Sequence, residues 1–133
     1  MARVTGIGGI FFKSRNDNAA LAAWYQKHLG MPLEGWGGAI MRWPDDKGGD
    51  DGVTVWHVAE KDSKWFSPSD SVFMVNYRVD DLDALVAKLR ADGIETVGTP
   101  QSDENGKFAW IMDPDGNKVE LWEPAAHKES NKA

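Results

Sequence analysis

The spacing of apolar positions changes along the chain, and each change marks an element. Ile7–Lys13 (IGGIFFK) is a short apolar run with aromatics, the pattern of a buried strand. Leu21, Trp24, Tyr25, His28 and Leu29 then recur at helical spacing on one face, with Asp17 placed to cap the start and Gly30 the end. Met31–Leu33 and Gly38–Trp43 read as short strands about a glycine-rich turn, Pro44–Gly52 as a solvated loop, and Val53–Val58 as a strand. After an irregular connection, Lys61–Ser71, which carries Trp65 and Phe66, the order begins again. Val72–Val79 is a strand, and Asp80-Asp81 caps a helix with the stripe Leu82, Leu85, Val86 and Leu89, closed by Gly93. Ile94–Val97, Lys107–Met112 and Lys118–Glu123 are three further strands, and Ala125–Ala133 is a polar tail expected to be flexible.

Asp17 to Asp80 and Gly30 to Gly93 are both separations of 63 residues. The pattern is therefore βαβββ twice, an α+β chain of two modules, about 6–59 and 72–124, within a single domain spanning 1–133. What repeats is the order of elements, since identity between the halves is slight.

Composition narrows the function classes. The chain has no Cys, which excludes disulfides, thiolate metal sites and cysteine nucleophiles. Fifteen basic against 21 acidic residues give a net charge of -6 and no clustered cations, which argues against nucleic acid as a partner. No apolar run is long enough for a membrane span, and Met1–Gly9 lacks the features of a signal peptide, so the expected location is the cytoplasm. Seven Trp in 133 residues point either to core packing or to an aromatic-lined pocket. The acidic loop Asp45–Asp51 lacks the alternation of a calcium loop, and Gly6-Ile7-Gly8-Gly9 precedes its strand, unlike a dinucleotide fingerprint.

Asp113-Pro114-Asp115-Gly116 predicts a tight turn, with Pro fixing φ and Gly free to adopt the left-handed backbone. Beyond it, alternation puts Val119 and Leu121 on one face and Glu120 with Trp122 on the other. A carboxylate in mid-strand between apolar neighbours requires a partner. Arg42, Arg78 or another cation is one possibility, and a pocket is the other. His28 reads as a packing residue, His57 as either strand surface or pocket, and His127 as solvated.

Trp24–Met31 (WYQKHLGM), Val79–Leu82 (VDDL) and Asp113–Pro124 (DPDGNKVELWEP) together resemble the vicinal oxygen chelate superfamily. This group includes glyoxalase I, bleomycin resistance proteins and extradiol dioxygenases. The resemblance covers Gly6–Pro124 and implies paired modules forming a cupped mixed sheet, helices outside, around a ligand cavity. It also implies four metal-ligand positions, on the first, fourth, fifth and last strands. The last matches Glu120; the fifth-strand position falls at Met74, the first within Gly9–Phe11, and the fourth at Trp56 or His57. At best His57 and Glu120 remain as ligands, too few for a tight divalent site.

The expected cavity residues are Trp56 or His57, Met74, Asn76, Arg78, Trp110 and Trp122, with Trp36 and Trp43 as further contributors. Two functions follow from the resemblance. One is a binding protein similar to bleomycin resistance proteins, without cofactor, holding an aromatic or cationic small molecule. The other is a lyase or isomerase of the glyoxalase type using Glu120 and His57, with a divalent metal (Ni, Zn, Mn or Fe) or without one. Whether the chain is an enzyme stays open at this point. The resemblance further implies a homodimer whose partner completes the cavity.

Overall fold

The computed structural model describes residues 2–42 and 53–125. Trp43, the loop Asp45–Asp51, His127 and the tail from 126 onward lie outside the described residues, as does the side chain of Leu29. The elements are β1 (Val4–Lys13), α1 (Asn18–Leu29), β2 (Ala39–Arg42), β3 (Val53–Ala59), β4 (Phe73–Val79), α2 (Leu82–Ala91), β5 (Gln101–Asp103), β6 (Gly106–Met112) and β7 (Lys118–Pro124).

All seven strands join one mixed sheet in the order β2-β3-β1-β4-β7-β6-β5. β1 pairs β3 in parallel just as β4 pairs β7, and β1 and β4 meet antiparallel at the centre. The two halves of the chain are thus the two halves of the sheet. The expected α+β architecture of paired modules in a curled sheet, helices on its outer side, is what the structure has.

Two expected strands are absent. Met31–Leu33 is reduced to one bridge, Leu33 to Ala39. Pro32 lacks an N–H to donate, and the chain turns at once, with Glu34 N–H on Gly38 O at 2.7 Å and Gly37 at φ 97°. Ile94–Val97 is likewise not a strand. Ile94 N–H is bonded back to Leu89 O at 2.8 Å, Gly98 takes φ 73°, and Pro100 follows, so one bond alone, Val97 N–H on Trp110 O at 2.7 Å, reaches β6 before the ladder begins at Gln101.

Helix α1 begins as expected, with the Asp17 side chain accepting from Ala20 N–H at 3.1 Å. It ends at Gly30, whose φ of 66° only glycine adopts readily. In α2 the cap is Asp81, accepting from Ala84 N–H at 3.1 Å; Asp80 instead accepts from Arg3 N–H at 3.0 Å. The repeat distance between caps is therefore 64 residues, one more than the expected 63.

The face of α1 also differs from the expected stripe. Ala22 is buried and Leu21 and Tyr25 half-buried, whereas Trp24 and His28 are exposed and touch each other, 5.0 Å between ring centres. α1 covers β3, near one edge of the sheet, where only a narrow side of the helix finds a surface to pack against. α2 lies over β6 and β7, where Leu82 and Val86 join Val79, Ala109 and Leu121 in a second core. The turn at Asp113 forms as predicted: Gly116 N–H reaches Asp113 O at 3.0 Å, and the Asp113 carboxylate accepts from Asp115 and Asn117 N–H, each at 2.9 Å. Those bonds, Asn117's first, hold the Asp113 carboxyl below its ordinary pKa.

Candidate functional site

The concave face of the sheet encloses an open cavity of about 1020 Å³ to which both modules contribute. Strand pairing sets its floor. Val55 lies opposite Gly9, Gly9 opposite Asn76, Asn76 opposite Glu120 and Glu120 opposite Trp110, so these five residues form one row across five strands. A second row holds His57, Phe11 and Met74; a third, on the opposite side of the floor, holds Arg78, Trp122 and Phe108.

Glu120 is the chemical centre of the floor. Its residue is 3% exposed, and each carboxylate oxygen accepts a hydrogen bond, one from Asn76 Nδ2 at 2.7 Å and one from Trp110 Nε1 at 2.8 Å. Neither Arg42 nor Arg78 is the partner that the sequence offered. Burial raises the Glu120 pKa above the ordinary carboxyl value, opposed by the bonds from Asn76 and Trp110 and by the charge of Lys118. Lys118 is itself buried, which lowers its pKa. Its ammonium donates to Trp65 O at 2.6 Å and sits 5.7 Å from the Trp110 ring centre.

Gly8 makes this arrangement possible. A Cβ there would come within 2.1 Å of Asn76 Oδ1 and 2.9 Å of Trp122 Cε3. No side chain fits while Asn76 faces Glu120. Asn76 Oδ1, with its amide nitrogen held by the carboxylate, is buried against Gly8 with no hydrogen-bond partner.

The walls are aromatic. Phe108 lies parallel to Trp110 and to Trp122, with ring centres 6.3 and 6.1 Å apart, on the second-module side. Trp122 is pinned by its Nε1–H on Asn105 O at 2.9 Å. Trp65 and Phe11 lie 4.6 Å apart, and His57 sits between Trp36 at 5.4 Å and Trp65 at 6.3 Å. Burial lowers the His57 pKa, and its Nδ1 has no hydrogen-bond partner. Arg42, Arg78, Asp103 and Glu104 supply the charged part of the lining.

Of the residues singled out by sequence, His57, Asn76, Arg78, Trp110, Trp122, Glu120 and Trp36 line the cavity. Trp56 does not: it faces α1, packed with Ala22, Ala39 and Val58, which settles the fourth-strand alternative in favour of His57. Met74 is 1% exposed and buried with Phe11, Ala59 and Phe66 beneath the cavity.

The residues level with Glu120 are Asn76, Gly9 and Val55, while Met74 and His57 sit two places along their strands. His57 and Glu120 are three strands apart, about 14 Å along a sheet before its curl is counted. The row around Glu120 therefore does not fit a divalent ion. Its other members supply no carboxylate or imidazole, and the two groups closest to Glu120 direct N–H donors, not lone pairs, at the place a cation would take. Among the described residues no group of three or more His, Cys, Asp or Glu side chains is placed to hold a metal.

Sequence reasoning missed four residues of the site and its support. Trp65 and Phe66 stood in a segment read as irregular, yet Trp65 lines the cavity and Phe66 is fully buried. Two adjacent aromatics within a polar connection were the available signal. Phe108 shares a face with Trp110 by strand alternation and could have been read the same way. Gly8 carried no signal, because its role depends on which residue faces it.

A paired-module cupped sheet around an open aromatic cavity defines the class of this protein. Residues 11–121 match the family model described as the Glyoxalase/Bleomycin resistance protein/Dioxygenase superfamily, and the chain belongs to that superfamily. Among solved structures it is similar to methylmalonyl-CoA epimerase from Mycobacterium tuberculosis, with 25% identity, TM-score 0.62, and coverage of 92% of this chain and 90% of that one. It shares its fold with Streptomyces coelicolor methylmalonyl-CoA epimerase, at 18% identity, TM-score 0.62, and 93% and 97% coverage. It also shares it with the Mn(II)-bound glyoxalase from Novosphingobium aromaticivorans, at 19% identity, TM-score 0.54, and 92% and 40% coverage. No curated protein matches the chain. No helix among the described residues is long and apolar enough to cross a membrane.

Proposed function

We propose that the chain binds a small planar molecule, aromatic or cationic, in the cup, without a resident catalytic metal. The observation that carries this reading is Glu120: a buried carboxyl whose two oxygens are both engaged by N–H donors, set in an aromatic wall. Such a group adds negative potential to the floor while the rings supply stacking area. A cation held over an indole face gains roughly 0.5–2 kcal/mol per contact, and apolar walls with a few fixed polar groups are how small-molecule sites are generally built. The cytoplasm is the location proposed for this activity, and nucleic acid is not a proposed partner.

The test is Trp fluorescence titration of the purified, untagged protein, first with Ni, Zn, Mn and Fe salts and then with planar cations and their neutral analogues. Quenching by the planar compounds, with no metal bound by elemental analysis, is the expected result. Bound metal near one per chain, or a metal response lost in Glu120→Ala, would overturn it.

One observation favours a second reading. Burial shifts Glu120 and His57 in opposite senses, upward for the acid and downward for the base, the way acid–base pairs are tuned in enzymes. In a lyase or isomerase of this kind, Glu120 would take a proton from a carbon acid in the ligand and return it to a different position. His57, a row away, would act on the ligand and not on Glu120. Solvent deuterium incorporation into a ligand found by titration distinguishes the two. Exchange that disappears in Glu120→Gln while binding persists would establish the enzyme.

A further inference from the structure

The first-module side of the cup has a histidine at its centre whose hydrogen bonding the chain leaves unfinished. His57 lines the cavity, with the Trp36 ring 5.4 Å away on one side and the Trp65 ring 6.3 Å away on another. Nδ1 of its imidazole is buried and has no hydrogen-bond partner. Nδ1 is thus the nitrogen closed off from the cavity, and the edge of the ring turned to the cavity carries Nε2.

That orientation decides what the imidazole offers. Burial lowers the His57 pKa below 6.5, so at neutral pH the ring is uncharged and carries a single N–H. A proton on Nδ1 would be a buried donor with no acceptor, the kind of orphan that folded proteins most consistently avoid. A proton on Nε2 leaves only a lone pair unmet at Nδ1 and puts the N–H where a ligand accepts from it. The cavity therefore meets a neutral donor here, neither an acceptor nor a charge.

The surroundings hold that donor in place. His57 stands opposite Phe11 in the parallel pairing of β3 with β1. Trp36 folds back over Gly38, where any Cβ would overlap its six-membered ring. Trp65 is fixed by its backbone: its N–H donates to Ser63 Oγ at 3.2 Å, and its carbonyl accepts from the Lys118 ammonium at 2.6 Å. Its ring packs on Phe11 at 4.6 Å. A donor set between two anchored aromatic rings is pre-organised, which reduces the ordering cost of binding. The row of Glu120 offers no equivalent, since the Asn76 amide and the Trp110 N–H are both directed at the carboxylate.

We propose that His57 determines which planar molecules the cup accepts, its Nε2–H donating to a carbonyl oxygen or an unprotonated ring nitrogen on the edge of a ring system held between Trp36 and Trp65. The ligand class is then a planar heteroaromatic or aryl carbonyl compound, oriented with its acceptor toward β3. The proposal rests on the reading that the cup binds a planar molecule, and adds which edge of that molecule is read and by which atom. A compound presenting only an N–H at this edge is disfavoured, because two donors then meet and neither is satisfied.

The test pairs coumarin, which carries a ring carbonyl, with naphthalene, which has two fused rings and no acceptor. Both are titrated by ligand-observed NMR at neutral pH against the wild type, His57→Phe and His57→Gln. His57→Phe is expected to weaken coumarin binding roughly two- to tenfold, the range of one net hydrogen bond, without weakening that of naphthalene. His57→Gln, whose amide also donates, restores part of the loss. Long-range proton–nitrogen correlation NMR of the free protein, with His57 assigned by the signal that His57→Gln removes, is expected to show the proton on Nε2. An imidazole protonated on Nδ1 overturns the proposal alone, as does a coumarin affinity that His57→Phe leaves unchanged. Failure of both compounds to bind the wild type overturns the planar-ligand reading, and the proposal with it.

Discussion

The two modules share an order of elements and a strand pairing, yet they furnish the same row of the cavity floor differently. The first supplies Gly9 and Val55, the second Asn76 and Glu120. Pairing makes these positions equivalent: β1 lies against β3 as β4 lies against β7, and the row crosses both pairs. On one side it is an apolar surface; on the other it is a buried hydrogen-bonded network ending on Trp110. A duplicated backbone therefore does not duplicate the chemistry. A metal centre drawing on both halves would need nitrogen and oxygen donors from each, and only the second half places a carboxyl in the row. The asymmetry turns a shared metal position into a one-sided polar site.

Removing the two equivalent side chains puts the largest strain on this comparison. Glu120→Ala leaves the Asn76 amide and the Trp110 N–H without an acceptor in a buried site and opens a void, and is expected to cost about 3–4 kcal/mol. Val55→Ala removes two methyl groups from a half-buried position and is expected to cost about 1–2 kcal/mol. Urea denaturation of both variants measures the difference. Equal losses would mean that the network adds nothing beyond filling space.

A smaller effect separates the charges of the two halves. The native pKa of Glu120 is raised above the ordinary 4.5 by burial, so the native state keeps this proton where the unfolded chain has released it. Stability contributed by the neutral carboxyl is full below 4.5 and is lost as pH rises to the native pKa. His57, in the first module, behaves oppositely. Burial lowers its native pKa below 6.5, so as pH falls from 6.5 the unfolded chain takes up the proton first and stability declines until the native pKa is reached. Urea midpoints across this range should lose the first slope in Glu120→Gln and the second in His57→Gln. Variants that alter each other's slope would show that the two groups interact despite the strands between them.

Much of the fold was legible because period and punctuation agreed. The apolar run of β1, the caps at Asp17 and Asp81, and the turn at Asp113 each gave a local rule that the rest of the chain did not override. Failures came where a local pattern depended on its neighbours. The stripe of α1 turned differently because the sheet beneath covers only one side of it, and Ile94–Val97 lost its strand to the glycine and proline that follow. The site was half legible. Alternation turned Glu120 and Trp122 to one face, but Asn76 and not Met74 stands beside Glu120, because pairing between distant strands sets that register and a shift of two residues preserves the face.

The smallest expected effect on stability tests whether the first module's share of the cavity is built for binding. Trp36 is 51% exposed and stands at the mouth on a glycine-rich turn, 5.4 Å from His57. It makes little of the core, so Trp36→Ala is expected to change unfolding free energy by less than about 0.5 kcal/mol, as surface positions do. The same substitution removes one face on which a planar ligand stacks, and is expected to weaken binding of such a compound by roughly three- to thirtyfold. Trp122→Ala, in the second module, should weaken binding and also destabilise the protein, since that ring is 8% exposed and hydrogen-bonded to Asn105. Parallel titration and denaturation of the two variants separate the roles. If Trp36→Ala binds as the wild type does, Trp36 supplies no stacking face, and the first module's share of the site reduces to the Phe11 and His57 side of the floor.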